Sequence, residues 1–417
     1  MKFTSTEATP APHVPPGVLR LTGAAKEDIP MYRIQTMNKI SPVGLNRFPS
    51  ELYEVGDAVQ DPQGILVRSA KLLDLEFNPG LLAIARAGVG VNNIPLDRCA
   101  AAGIPVFSTP GANANAVKEL VICAMLMGSR DIPGAIRWVR EQAASGVDVS
   151  TVVEKGKSAF IGPELYKKTL GIIGLGAIGS IVANTAISLG MDVYGYDPFL
   201  SVDTALRLDR HVHVVKDIND LYKRSDYITM HIHYTEKTAR MIDASAIAAM
   251  KRGVRVINLA RGEIVDDEAM LTALDTGMVA AYITDFPNNR LLTAPHVIAM
   301  PHLGASTPES EQNCAAMAVD TLRDYLESGN IRSSVNLPEM TMDRSGVQRL
   351  CVLHKNVPGM LANITSLFGR DGVNVENLSN KSRGDYAYTM VDLGSKVGDN
   401  VICLLYTSPS PRDGATS

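Results

Sequence analysis

Thr169-Leu-Gly-Ile-Ile-Gly-Leu-Gly-Ala-Ile-Gly-Ser180 decides how this chain folds. Its apolar start reads as a buried strand, and Gly174, Gly176 and Gly179 then give the G-x-G-x-x-G spacing ahead of a helix with Ile178, Ile181, Val182 and Leu189 on one face. Each glycine has its own reason. Gly174 permits a tight turn, Gly176 lets a pyrophosphate reach the backbone, and Gly179 lets helix and strand pack closely, so that the free N–H groups of Ala177, Ile178 and Gly179 face phosphate. Gly190 closes the helix, and Met191-Asp-Val-Tyr-Gly-Tyr-Asp197 reads as the next strand, ending in a carboxylate. Asp197 stands 18 residues beyond Gly179, near the roughly 20-residue offset at which an acid meets the adenosine ribose and repels a 2′-phosphate. The cofactor expected is NAD.

The 417 residues suit two or three domains, and 46% apolar residues are ample for buried cores. A net charge of -4 offers no cationic field for nucleic acid or anionic membrane. Cys99, Cys123, Cys314, Cys351 and Cys403 are widely spaced and include no C-x-x-C pair, so neither a disulfide framework nor a metal site is expected. With no h-region in the first 29 residues and no run of membrane-spanning length, the expectation is a soluble, cytoplasmic protein.

Taken in order, residues 1–30 hold Pro10, Pro12, Pro15, Pro16 and Pro30 and read as a disordered leader. Strands at 32–40, 64–68, 81–85 and 105–108 alternate with helical patches, which predicts a small, flavodoxin-like α/β domain formed by 31–117 with the long helix and tail of 307–337. Residues 118–306 continue the strand–helix alternation after Asp197 through 211–215, 226–231, 254–259, 279–283 and 296–300, a Rossmann-type doubly wound sheet. Residues 338–346 form a linker, 347–402 a small, partial α+β unit, and 403–417 read as a non-native tail with no pattern that completes it.

Two side chains in the second domain suit hydride chemistry on a 2-hydroxy acid. Arg261, just past a strand in Asn258-Leu-Ala-Arg-Gly262, is a permanent cation whose fork holds a carboxylate and polarises a carbonyl. His302, in Pro301-His-Leu-Gly304, titrates near neutrality and can exchange the hydroxyl proton. A lone arginine or histidine at a strand end is more often a surface residue. Their position beside a nucleotide fold raises them.

The glycine loop, Tyr196-Asp-Pro198, Asn258-Leu-Ala-Arg-Gly262 and Pro301-His-Leu-Gly304, in that order, resemble the D-isomer-specific 2-hydroxyacid dehydrogenases. Gly64-Ile-Leu-Val-Arg-Ser-Ala-Lys71, Ala85-Arg-Ala-Gly-Val-Gly-Val-Asn92 and Gly304-Ala-Ser-Thr307 narrow the resemblance to the branch acting on 3-phosphoglycerate. The resemblance implies NAD-dependent oxidation of 3-phospho-D-glycerate at the entry to serine synthesis, with Ala260, Asp285 and Gly304 added to the cofactor residues. It implies Arg68, Ser69 and Lys71 near the substrate phosphate and the N–H groups of Val89 and Gly90 on its carboxylate. The glutamate that partners the catalytic histidine in the family is replaced here by Asn289, which can orient an imidazole but cannot stabilise its charge.

His354-Lys-Asn-Val-Pro-Gly-Met360 with Gly372-Val-Asn-Val375 resembles an ACT regulatory domain, and the resemblance implies a serine effector held by His354, Asn356 and Asn374, and a homodimer or homotetramer. Two other readings stay open at this point. A sister enzyme reducing hydroxypyruvate or glyoxylate would tolerate loss of Arg68. A weakly catalytic NAD(H)- and amino-acid-sensing protein would bind NADH without oxidising it.

Overall fold

The computed structural model describes residues 18–22, 31–398, 401 and 405 and divides into two compact units, Asn113–Ser310 and the remainder of the chain. The strands are β1 (Val18–Thr22), β2 (Tyr32–Met37), β3 (Tyr53–Gly56), β4 (Gly64–Val67), β5 (Ala83–Arg86) and β6 (Val106–Phe107). In the second unit they are β7 (Thr169–Ile173), β8 (Asp192–Tyr196), β9 (Val212–Val215), β10 (Tyr227–Met230), β11 (Val254–Asn258), β12 (Val279–Thr284) and β13 (Val297–Ala299). Beyond it come β14 (Gln348–Lys355), β15 (Val375–Arg383) and β16 (Tyr386–Leu393).

In the first unit β3-β2-β4-β5-β6 form an all-parallel sheet with a switch point between β2 and β4, the flavodoxin-like order. The edge strand β3 was not expected from sequence, because Tyr53-Glu-Val-Gly is too short to show a period. Parallel pairing buries β4 on both faces, so Gly64-Ile-Leu-Val67 is a continuous apolar run. The helix Pro308–Ser328 packs Ala315, Ala318, Val319, Leu322 and Leu326 into the same core as Ile34, Leu66 and Phe107.

The second unit carries the order β13-β12-β11-β10-β7-β8-β9, parallel throughout, with its switch point between β7 and β10. Ala177–Ser188 forms the helix after β7, and of the face expected Val182 is buried and Ile178 partly so, but Gly179, Ala183 and Ala186 complete the buried face in place of Ile181 and Leu189. Leu189 is 40% exposed. The reason is the close approach itself: a Cβ on Gly179 would sit 1.9 Å from the Gly174 carbonyl oxygen, so small residues must line that face.

The remaining sheet has the order β1-β14-β16-β15, antiparallel at every pair. Here two expectations need correction. Val18–Thr22, placed in the disordered leader, forms an edge strand whose register runs Val18↔Val352 to Thr22↔Gln348, because the open backbone edge of β14 satisfies a proline-free stretch. Leu405, placed in the patternless tail, is buried beside Val397 and Val401 at steps of four residues. The other residues of 1–30 and of 403–417 lie outside the described set.

Both faces of this small sheet are buried. Leu350, Val352, Val391 and Leu393 meet Met360, Ile364 and Phe368 of the helix Met360–Arg370. On the opposite face Cys351, Leu353, Tyr388 and Met390 join Tyr32, Leu322 and Tyr325 in one core. Arg349 shares that second face. Fully buried, it donates to both Asp392 carboxylate oxygens at 2.6 and 2.7 Å and to the carbonyls of Ser328, Met342 and Asp343. Burial alone would raise the Asp392 carboxyl, but Arg349 and the Ser345 N–H outweigh it and hold the group below the usual range.

Asp392→Ala should therefore cost about 3–5 kcal/mol in urea denaturation, since it strands a buried cation. Asp320→Ala, which breaks an exposed pair with Arg47, should shift the midpoint far less. Because the folded carboxyl is depressed, the Asp392 contribution is present above the unfolded value of about 4 and is lost as pH falls through the folded one. The difference between parent and Asp392→Ala should shrink in acid. A constant difference would remove the ion pair as its cause.

Candidate active site

At the carboxyl end of β7, Gly174 adopts φ +91 and a Cβ there would lie 2.6 Å from the His231 carbonyl oxygen, so the turn admits glycine alone. Gly176 differs. A Cβ there would meet nothing within 4 Å, so no protein atom requires glycine and the open space is what a ligand would use. The first N–H groups of the following helix, on Ala177, Ile178 and Gly179, precede any intrahelical acceptor and form an anion site with the helix dipole behind it. Asp197, at the end of β8, accepts the Leu175 and Phe199 N–H groups at 2.9 Å each. That fixes its carboxylate and leaves lone pairs for a ribose diol.

On the other side of the switch point, three neighbouring strands end in the chemistry. Buried Asn258 closes β11 and ties down the loop: its Oδ1 accepts the Ala260 N–H at 3.2 Å and its Nδ2 donates to the Arg261 carbonyl at 2.9 Å. The Arg261 guanidinium then lies with its Cζ 5.8 Å from the centroid of Phe286, which follows β12. The His302 ring lies 4.8 Å from the same ring, tilted by 46°. One aromatic ring thus brings the sequence-predicted cation and imidazole together.

Asp285 places His302 through its backbone and Gly304 through its side chain. Its carbonyl accepts the His302 N–H at 2.9 Å and its Oδ2 accepts the Gly304 N–H at 3.0 Å. Burial raises the Asp285 carboxyl, against the pull of Gly304 and His302. Its Oδ1 is buried with no hydrogen-bond partner. An orphaned carboxylate oxygen among these loops fits a carboxamide N–H donor such as the nicotinamide amide. The residues present fit the cofactor at the glycine loop and here alike.

Asn289 is not part of this arrangement. It is exposed and makes no hydrogen bond to His302 among the described residues. Its neighbour Asn288 sets the loop instead, accepting from Arg290 and Leu291 N–H groups and donating to Asp267 at 2.6 Å, which turns residue 289 outward.

In the first unit, Arg68 follows β4 and pairs with Glu311 at 2.5 Å. Ser69 and Ala70 donate their N–H groups to Asn38 Oδ1, Lys71 is exposed, and the Val89 and Gly90 N–H groups meet no acceptor among the described residues. Sequence reasoning passed over Asn38, whose φ of +73 holds that loop, and Arg86, which ends β5 and donates from Nε to the Arg68 carbonyl at 2.9 Å. Arg86 comes to this loop only through the strand pairing that aligns it with Val67, which no local sequence signal shows. In the small sheet His354, Asn356 and Asn374 have separate partners. His354 is buried, with Nδ1 on the Lys355 carbonyl and Nε2 on Thr389 Oγ1, while Asn356 donates to Gly384 and Asn374 to Glu376. Among the described residues no group of metal-ligating side chains converges, and no helix is long and apolar enough to cross a membrane.

A doubly wound sheet of this strand order, with a glycine loop, an acid after the second strand and an arginine–histidine pair at strand ends, is the nucleotide-binding core of a nicotinamide-dependent dehydrogenase. Residues 122–304 match the sequence pattern of the D-isomer specific 2-hydroxyacid dehydrogenase NAD-binding domain. The chain is 32% identical over 355 residues to D-3-phosphoglycerate dehydrogenase of Haemophilus influenzae, covering 82% of this chain and 83% of that one. It is 36% identical over 326 residues to the Synechocystis enzyme of that name, covering 76% and 56%. It spans between 55% and 60% of the length of the Synechocystis, Bacillus subtilis and Methanocaldococcus jannaschii relatives. Among solved structures, NAD+-bound 3-phosphoglycerate dehydrogenase of Entamoeba histolytica matches with TM-score 0.57 and 26% identity, covering 73% of this chain and 99% of that one. D-mandelate dehydrogenase of Rhodotorula graminis, at TM-score 0.62 and 20% identity, covers 76% and 100% and shares the fold. The chain belongs to the D-isomer-specific 2-hydroxyacid dehydrogenase family.

The two glycines separate ligand from fold. Gly176→Val should weaken NADH binding about 10-fold or more in fluorescence titration, roughly 1.4 kcal/mol, with little change in Tm. Gly179→Val should lower Tm sharply, since overpacking here moves backbone. Equal effects on Tm would show that position 176 is structural.

Proposed function

We propose that the protein oxidises 3-phospho-D-glycerate to 3-phosphohydroxypyruvate, and the observation that carries this reading is the placement of Arg261 and His302 against the one ring of Phe286. NAD, when bound, accepts the hydride from C2. Arg261 holds the substrate carboxylate and carbonyl oxygen, and its fixed charge favours the partial negative charge there at every working pH. An imidazole nitrogen of His302 takes the hydroxyl proton as the C2–O bond becomes double, and returns it to solvent. Arg68 receives the phosphate. That the relatives of similar sequence carry the phosphoglycerate dehydrogenase name supports the substrate assignment.

The test is NADH oxidation with 3-phosphohydroxypyruvate. Arg261→Lys should lower kcat/KM by about 10²-fold, around 2.7 kcal/mol of transition-state stabilisation. Asn289→Ala should stay within about twofold of the parent, because the residue faces away. Arg68→Ala should raise KM for the phosphorylated substrate while leaving hydroxypyruvate unchanged. No effect on either substrate would favour the hydroxypyruvate reductase reading, and tight NADH binding without turnover would favour the sensor.

We also infer a homodimer through the segment that follows the helix Ala114–Arg130. The helices Ile132–Ala144 and Val149–Gly156 have no buried residue, and Ile136, Val139 and Ile161 are 50%, 39% and 81% exposed. Ile136 and Val139 line one surface depression with Ile132 and Ala135, and an exposed apolar face of this kind suits a second copy. Light scattering should give twice the chain mass for the parent and a monomer for Ile136→Asp; a parent monomer would refute the assignment.

A further inference from the structure

The backbone that carries Arg68 is held from two sides. Asn38 Oδ1 takes the Ser69 and Ala70 N–H groups, and Arg86 Nε–H donates to the Arg68 carbonyl at 2.9 Å. At the far end of the side chain a different kind of group waits. Glu311 Oε1 accepts from Arg68 Nη2 at 2.5 Å, and both side chains are 44% exposed. Glu311 stands in the first turn of the helix Pro308–Ser328, where free N–H groups favour a negative charge. The cation assigned to the substrate therefore already has an anion that belongs to the protein.

The strength of that pair decides what can displace it. A half-exposed ion pair is worth about 0–1 kcal/mol, weak enough to exchange. A phosphate monoester carries close to two negative charges and can accept two parallel N–H bonds from one guanidinium, so it outcompetes a single carboxylate. A ligand ending in one carboxylate exchanges like for like, and every anion that displaces Glu311 meets its repulsion, a dianion more than a monoanion. An uncharged hydroxyl gains nothing.

We propose that Glu311 is a counter-ion that keeps Arg68 paired until an anionic ligand end displaces it, so that 2-oxo acids with an uncharged hydroxyl at the far end draw nothing from Arg68. The proposal rests on the assignment of Arg68 to the substrate phosphate. Glu311 acts through Arg68 and is a positioning residue. Its substitution leaves the groups around Phe286 intact.

Steady-state kinetics of Glu311→Gln test it with three substrates: 3-phosphohydroxypyruvate, hydroxypyruvate, and a dicarboxylic 2-oxo acid of similar length. Expected is a fall of about 3–5-fold in KM for the dicarboxylic acid, the change that about 1 kcal/mol allows, with kcat unchanged. KM for the phosphorylated substrate should fall by at least as much, because a dianion is freed of the same pair and of more repulsion, and that for hydroxypyruvate should not move. In an Arg68→Ala background the effect of Glu311→Gln should vanish, which a purely structural role would not produce. If Arg68→Ala raises KM for the phosphorylated substrate but Glu311→Gln leaves the dicarboxylic acid unchanged or weaker, the counter-ion role is overturned while the phosphate assignment survives. If Arg68→Ala leaves the phosphorylated substrate unchanged, the phosphate assignment itself falls, and the proposal with it.

Discussion

Asp285 is the residue on which the chemistry of this fold depends. Its carbonyl fixes the His302 N–H and its Oδ2 fixes the Gly304 N–H, so one residue at the end of β12 determines where the loop after β13 runs. Its side chain is 1% exposed, and Oδ1 has no partner within the protein. An unsatisfied buried acceptor costs about 1–3 kcal/mol, more when charged. A fold keeps such a group where a ligand completes it, and the loops that Asp285 organises are those carrying the imidazole. A ligand that donates to Oδ1 would stabilise the folded state by mass action.

How much of this could be read from the chain depended on whether the signal was local. The glycine loop was legible because G-x-G-x-x-G, the strand before it and Asp197 after it lie within thirty residues, and each constrains the same βαβ unit. The matching sequence pattern over residues 122–304 and the NAD+-bound Entamoeba structure bear out the fold and its cofactor. Arg261 and His302 could be placed at strand ends, but nothing local says that Phe286 stands between them. The apolar face of the helix after β7 was misread in part, for the opposite reason. Periodicity favours large residues, whereas a helix pressed against its strand must present Gly179, Ala183 and Ala186.

Pairings between distant segments were the part that sequence could not show. Asn38, Arg86 and Glu311 come from three separate stretches and meet around Arg68 only because parallel pairing puts β2, β4 and β5 side by side and the helix Pro308–Ser328 packs on the same core. Likewise Val18–Thr22 has no value as a strand until β14 offers an edge. The small sheet then loses its independence. Its second face shares a core with Tyr32, Leu322 and Tyr325, and Arg349 spends its donors on Asp392 and three carbonyls outside the sheet.

That docking bears on how the small sheet could influence the rest of its unit. The Ser328 carbonyl that receives Arg349 ends the same helix whose first turn holds Glu311, and Tyr388 donates to the neighbouring Gly329 carbonyl at 2.6 Å. The helix Pro308–Ser328 thus meets Arg349 at its last residue and Arg68 through Glu311 in its first turn. His354, by contrast, points its ring nitrogens at Lys355 and Thr389 within the sheet. A ligand reaching it must first break those bonds, and the strain of doing so falls on β16, the strand that also carries Tyr388 and Asp392.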